Sequence, residues 1–218
     1  MWTEQVIAYC ERTDFGFWAE PLNAVTNAAF LIAAGIVWPM TRGLPLARAL
    51  AVILALIGIG SFLWHTFATR WAGLADVLPI LLFILLYLFL ATRDYLGARA
   101  WVAGLVTLLF VPYAVAFGWA LGLVVPGLGA NAAYLSVAVL IAAYGLWLRR
   151  TVTGRSLLVG AGILLVSLSA RMADDLVCPA FSIGTHFLWH ILNGIMLGWM
   201  IRVYVRHPRP LAPIPPSR

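Results

Sequence analysis

The stretch Leu46-Ala-Arg-Ala-Leu-Ala-Val-Ile-Leu-Ala-Leu-Ile-Gly-Ile-Gly-Ser-Phe-Leu-Trp-His-Thr-Phe67 decides the fold class. It is apolar almost throughout, with a single charge, Arg48, near its start. A helix needs about 20 such residues to cross the hydrocarbon of a bilayer. This one carries polar groups near its far end, Ser61 and His65 among them. Residues four apart share a helix face, so hydroxyl and imidazole point the same way. An imidazole inside a bilayer is costly unless paired or bound. The stretch therefore reads as a membrane span with chemistry at one end.

The rest of the chain repeats the pattern. The 218 residues are 63% hydrophobic and 10% charged, with a mean hydropathy of +0.97. Soluble domains have about 45–50% apolar and about 25% charged residues. Seven apolar stretches of span length occur, over Pro21–Met40, Leu46–Phe67, Gly73–Thr92, Ala100–Ala120, Ala130–Leu148, Ser156–Met172 and Ile183–Val205. The expected fold is all-α, a single seven-helix membrane domain over residues 1–206. Pro112 is expected to kink the fourth helix. The tail from His207 to Arg218 holds five prolines and is expected to be disordered, with His207 solvated. No internal repeat is visible. The acidic start, with Glu4, Glu11, Asp14 and Glu20, lacks the basic-then-apolar order of a cleavable signal peptide.

The net charge of +6 does not point to nucleic acid, because all fourteen basic residues are Arg and most lie between apolar stretches. Eleven fall on one side of the expected membrane, in the loops with Arg42, Arg93 and Arg149 and at the C-terminal end; only Arg12, Arg70 and Arg171 fall on the other. The positive-inside rule then predicts an outer N-terminus and a cytoplasmic C-terminus. The all-Arg content hints at a bacterial source. The expected location is a bacterial inner membrane, with the chemistry in the periplasmic half.

That topology gathers the polar groups. Ser61 and His65 end the second helix, Asp76 begins the third, and His186 and His190 begin the seventh, all in one leaflet. His186 and His190 share a helix face, and His65 supplies a third nitrogen. Zinc held by three protein ligands keeps an open position for water and lowers the pKa of that water to about 7. Asp76 is the expected general base. Ser61 is expected to donate to a developing oxyanion. The competing reading is three histidines that pack or relay protons. The soluble His-Glu-x-x-His motif is absent. Cys10 and Cys178 fall on the same side, either as a disulfide or as two unrelated thiols. Arg171, three and four residues before Asp174 and Asp175, is spaced for helical ion pairs. Trp64 and Trp189, each preceding a proposed ligand, are expected chiefly to pack.

The pattern Ser61-x-x-x-His65, Asp76, His186-x-x-x-His190 resembles that of the alkaline ceramidases and the wider superfamily shared with adiponectin- and progestin-type receptors. Tyr9-Cys10-Glu11, Ala19-Glu20-Pro21-Leu22-Asn23-Ala24-Val25-Thr26-Asn27 and the block from Arg171 to Gly194 extend the likeness. The similarity runs from about Tyr9 to Trp199 and is weak in the fourth and fifth helices. It implies zinc on His65, His186 and His190, catalytic roles for Asp76 and Ser61, a Cys10–Cys178 bridge, and hydrolysis of the ceramide amide. It also implies a calcium ion near the N-terminus, with Glu11, Glu20, Tyr9 and Thr13 at the ligand positions. Ala8 and Thr13 replace two oxygen side chains of that pattern, with Asp14 nearby. Loss of oxygen ligands weakens a hard-cation site. The alternative there is an acidic outer segment whose Glu20 and Pro21 start the first helix. The membrane lipid partner is a ceramide or a related N-acyl lipid. Alternative functions are hydrolysis of another lipid amide or ester, or a lipid receptor or sensor.

Overall fold

A computed structural model describes residues 1–125 and 127–208. The expected tail beyond Pro208 lies outside the described residues. Among the described residues, six helices are long and apolar enough to cross a membrane: α1 (Pro21–Thr41), α2 (Pro45–Phe67), α3 (Arg70–Tyr95), α4 (Ala100–Gly122), α6 (Val152–Val177) and α7 (His186–Arg206). Between α4 and α6 lies a shorter apolar helix, α5 (Asn131–Trp147). These helices fit an integral, multi-pass membrane protein. Among the described residues the only strand-like pairing is one antiparallel bridge, Gln5 to Thr69.

Each helix packs on its neighbour in sequence, and α7 closes the ring against α1 and α2. The closures rest on small residues, which let helix backbones approach where lipid gives no hydrophobic drive to associate. On α7, Gly194 and Gly198 face Ala29 and Ala33 of α1, and a Cβ on either glycine would lie within 3.0–3.2 Å of those residues. On α2, Gly60 lies against the backbone of Ala75, and a Cβ there would collide with the Ala75 carbonyl. That close approach brings Ser61, beside Gly60, to Asp76, beside Ala75.

The helix bounds differ from the apolar stretches for physical reasons. α6 runs past the expected Met172 to Val177 because charged Arg171 and Asp174 are housed inside the protein rather than in lipid. α4 is broken at Leu109, between segments Ala100–Leu108 and Phe110–Gly122. Pro112 accounts for this, since its missing N–H cannot serve a carbonyl four residues back, at Leu108. α1 is interrupted at Asn27 and ends in a 3-10 turn over Trp38–Thr41.

The chain before α1 is folded onto one end of the ring. Val6 donates to the Ala68 carbonyl, and Arg70 donates to that of Glu4. Cys10 and Cys178 form a disulfide, with Cα atoms 5.6 Å apart. The opposite end corrects the expectation for His207. It is half-buried, its Nδ1 is 3.0 Å from Thr153 Oγ1, and its Nε2 is 3.1 Å from the Asp94 carbonyl.

Candidate metal centre

His65 lies in the last turn of α2, and His186 and His190 lie in the first two turns of α7. All three are buried, and one ring nitrogen from each lies within 4.8 Å of the others. The ring centroids are 4.6 to 5.2 Å apart. Among the described residues this is the one group of three or more His, Cys, Asp or Glu side chains close enough to hold a metal ion.

The surroundings set the free nitrogens. His65 Nδ1 is 2.5 Å from Glu20 Oε2, and a carboxylate only accepts, so Nδ1 carries the proton and Nε2 is a bare lone pair. Thr26 Oγ1 donates its proton to the Leu22 carbonyl at 2.8 Å. It therefore accepts from His190 Nδ1 at 3.0 Å, which leaves His190 Nε2 bare. His186 stacks on the Tyr9 ring at 3.7 Å between centroids. Two nitrogens, His186 Nδ1 and His190 Nε2, are buried with no hydrogen-bond partner. Such atoms are rare because each costs its desolvation. Coordination to one shared ion would satisfy both, so the residues present fit a metal; they do not name it.

Glu20 and Thr26 supply the acceptors that neutral metal-bound histidines require. The sequence offers no spacing rule that would have found them, because Glu20 is 45 residues from His65 and Thr26 is 164 from His190. Burial raises the pKa of the Glu20 carboxyl, but hydrogen bonds from His65, Arg12 and Asn23 outweigh it and hold the group below the usual carboxylate range. Burial likewise pushes the Tyr9 phenol above its ordinary range, so it stands neutral beside His186.

Ser61 and Asp76 are brought together by the close packing of Gly60 on Ala75, and both line an apolar cavity. The cavity runs inward past Phe83, Tyr134, Trp189 and Asn193 to Tyr144 and Met200. Along α3 it extends from Asp76 to Ala91, about 22 Å at 1.5 Å per residue. Trp189 lines this cavity as well as packing, with its ring 4.8 Å from that of Tyr134.

Two expectations are corrected. Arg171 does not pair with Asp174. Its Nε donates to Asn131 Oδ1 at 2.9 Å and its Nη1 to the Tyr9 hydroxyl at 3.0 Å, among the rings of Tyr9, Tyr134 and Trp189. Asp174 turns the other way. It accepts the backbone N–H groups of Thr185 and His186, at 2.7 and 2.9 Å, and that of Cys10 at 3.0 Å. A carboxylate at the start of α7 satisfies N–H groups that have no partner within the helix. Gly184 makes the approach fit: its φ is +67°, and a Cβ there would strike Asp174 and Cys10.

The second correction concerns calcium. Glu11 spends its two oxygens on the N–H groups of Leu22 and Asn23, each at 2.8 Å, at the start of α1. Glu20 faces Arg12, His65 and Asn23, the Tyr9 carbonyl accepts from the Arg12 backbone N–H at 3.2 Å, and Thr13 is exposed. These residues do not fit a calcium ion, and the cation held in this segment is the Arg12 guanidinium. Glu20 and Pro21 do start α1, as its N-cap and first residue.

No protein-family model and no curated protein sequence matches this chain. What the fold and the site define is a class: a multi-pass membrane protein with a buried three-histidine cluster and, near it, an apolar cavity lined at one end by Ser61 and Asp76.

Proposed function

We propose that this protein is a zinc-dependent intramembrane hydrolase that cleaves the amide of ceramide, or of a related N-acyl lipid, to a sphingoid base or amine and a free fatty acid. The observation that carries the reading is the meeting of two unlike environments. Three buried imidazoles stand close to Ser61 and Asp76, which line one end of a cavity whose other walls are apolar. An acyl chain fills such a cavity and leaves its polar linkage at the mouth.

His65, His186 and His190 would hold the ion. Zinc in a three-ligand site supplies Lewis acidity and lowers the pKa of water to about 7. Asp76 is the general base that receives the proton of the attacking water and returns it to the leaving amine. Ser61 donates to the amide oxygen as negative charge develops there. Trp189 and Tyr134 wall the acyl chain next to the carbonyl. In this reading seven helices span the membrane, with α5 counted, and the site faces the outer side, as the arginine distribution predicts.

The test is release of sphingoid base from detergent-solubilised ceramides of varied chain length, read by mass spectrometry, with His190→Ala as the control. Release by the wild type that falls to background in His190→Ala, together with loss of zinc, is the expected outcome. A folded, zinc-loaded wild type that releases nothing removes ceramide as the substrate. The same assay on other N-acyl lipids and on lipid esters then identifies the linkage, and silence on all of them favours a lipid receptor.

A further inference from the structure

Arg12 has no part in the hydrolytic chemistry, yet its side chain is wholly buried. A guanidinium carries five N–H donors in a fixed plane, and here all five are taken. Nε donates to Glu20 Oε1 at 2.5 Å, Nη1 to the carbonyls of Asp14 and Gly16 at 3.1 and 3.2 Å, and Nη2 to those of His65 and Thr66 at 2.9 and 3.4 Å. One carboxylate and four main-chain carbonyls form an all-oxygen set, the kind that suits a hard cation. The His65 and Thr66 carbonyls belong to the last turn of α2. Carbonyls there have no partner within the helix and carry the negative end of its dipole. Glu20 links this cage to the histidine cluster, since its other oxygen holds His65 Nδ1.

We infer that Arg12 is a built-in cation that replaces calcium in this chain: it fixes Glu20, and through Glu20 the His65 ring, so the metal centre needs no added divalent ion to be correctly set. The inference rests on the reading of the three histidines as a zinc centre. A calcium ion seated on Glu20 would compete with the guanidinium for the same oxygens, so the two cations exclude each other there. Arg12 is in these terms a positioning residue, two steps removed from the ion.

The test uses the full chain, stripped of metal in detergent and reloaded with cobalt(II), whose visible absorption reports the geometry of a histidine site. Wild type should bind cobalt with one affinity and one spectrum in calcium-free buffer and in millimolar calcium. Arg12→Ala should bind it about 10–100-fold more weakly, the usual cost of losing a group that supports a ligand, with a shifted spectrum. Millimolar guanidinium should bring both readings back toward wild type. Arg12→Lys should fall between, because an ammonium has three donors and no planar fork. A wild type whose cobalt affinity rises with calcium overturns the inference. So does a folded Arg12→Ala with wild-type affinity and spectrum. Should Arg12→Ala not fold, Arg12→Lys decides: wild-type behaviour in that variant overturns the inference, and weaker, altered cobalt binding upholds it. A folded wild type that binds neither cobalt nor zinc instead removes the zinc reading, and the positioning role falls with it.

Discussion

α7 and α4 are similar in length and both apolar enough to span a membrane, yet they are built for opposite surroundings. Just over half of the apolar window of α7, 56%, is buried inside the protein, against 11% for α4. On α7 the inward positions are His186, Trp189, His190, Asn193 and Gly194, a mixture that no lipid face would carry. On α4 the large side chains Trp101, Leu108, Val115 and Trp119 are each at least two-thirds exposed. α7 is held at its start by Asp174 and along its length by small residues on α1. α4 touches only α3 and α5 among the well-packed neighbours and is broken at Leu109. The buried histidines of this molecule therefore sit where helices are interlocked through polar groups, while the loosely attached helix exposes large apolar side chains.

The sharpest way to break this contrast is at the groups proposed to react. Asp76→Asn should lower turnover by about 10²–10⁴-fold, the usual worth of a positioned acid–base group. Zinc content and thermal stability should stay near wild type, and metal analysis beside the activity assay checks both. Wild-type turnover in this variant would mean that Asp76 is not the base. Next comes the tie that holds the N-terminal segment over α7. Cys10→Ser opens a bridge that spans a sequence separation of 168 residues. It should cost about 2–5 kcal/mol, read as a lower midpoint of unfolding in detergent, with zinc lost earlier in the transition than in wild type. The smallest effect should come from the lipid-facing helix. Leu108→Ala, at a side chain 76% exposed, should change stability by less than about 0.5 kcal/mol and leave zinc binding untouched. A large loss there would show that α4 is anchored by contacts not evident in its packing.

The grouping of the three histidines was legible because its signals are local. Ser61 and His65, and His186 and His190, lie four apart on helices, and membrane topology alone puts them in one leaflet with Asp76. The break in α4 was legible for the same reason, since Pro112 acts on a carbonyl within its own helix. The supporting groups were not legible. Glu20 looked like a cation ligand because a carboxylate in isolation does not reveal whether it will meet a metal, a guanidinium or an imidazole; the fold gives it the last two. Arg12 read as one more charge at the membrane surface, and only the meeting of residues 14, 16, 20, 65 and 66 shows five acceptors arranged around it. Asp174 stood at the right spacing from Arg171 for a helical pair, but the start of α7, arriving from beyond the next turn, offers backbone N–H groups that Arg171 does not match. Hydropathy ended α6 too early because buried charge and solvated charge look alike in sequence.

The disulfide and Asp174 together impose an order on biosynthesis. Cys10 and His65 leave the ribosome early, but the groups they meet across the fold, Cys178, Asp174 and the histidines of α7, come more than a hundred residues later. Until α7 has been inserted, the early segment has neither its covalent anchor nor the carboxylate that holds the Cys10 backbone, and His65 faces no second imidazole. A chain stalled before α7 thus contains only one of the three histidines, and the cluster that could hold an ion is completed late.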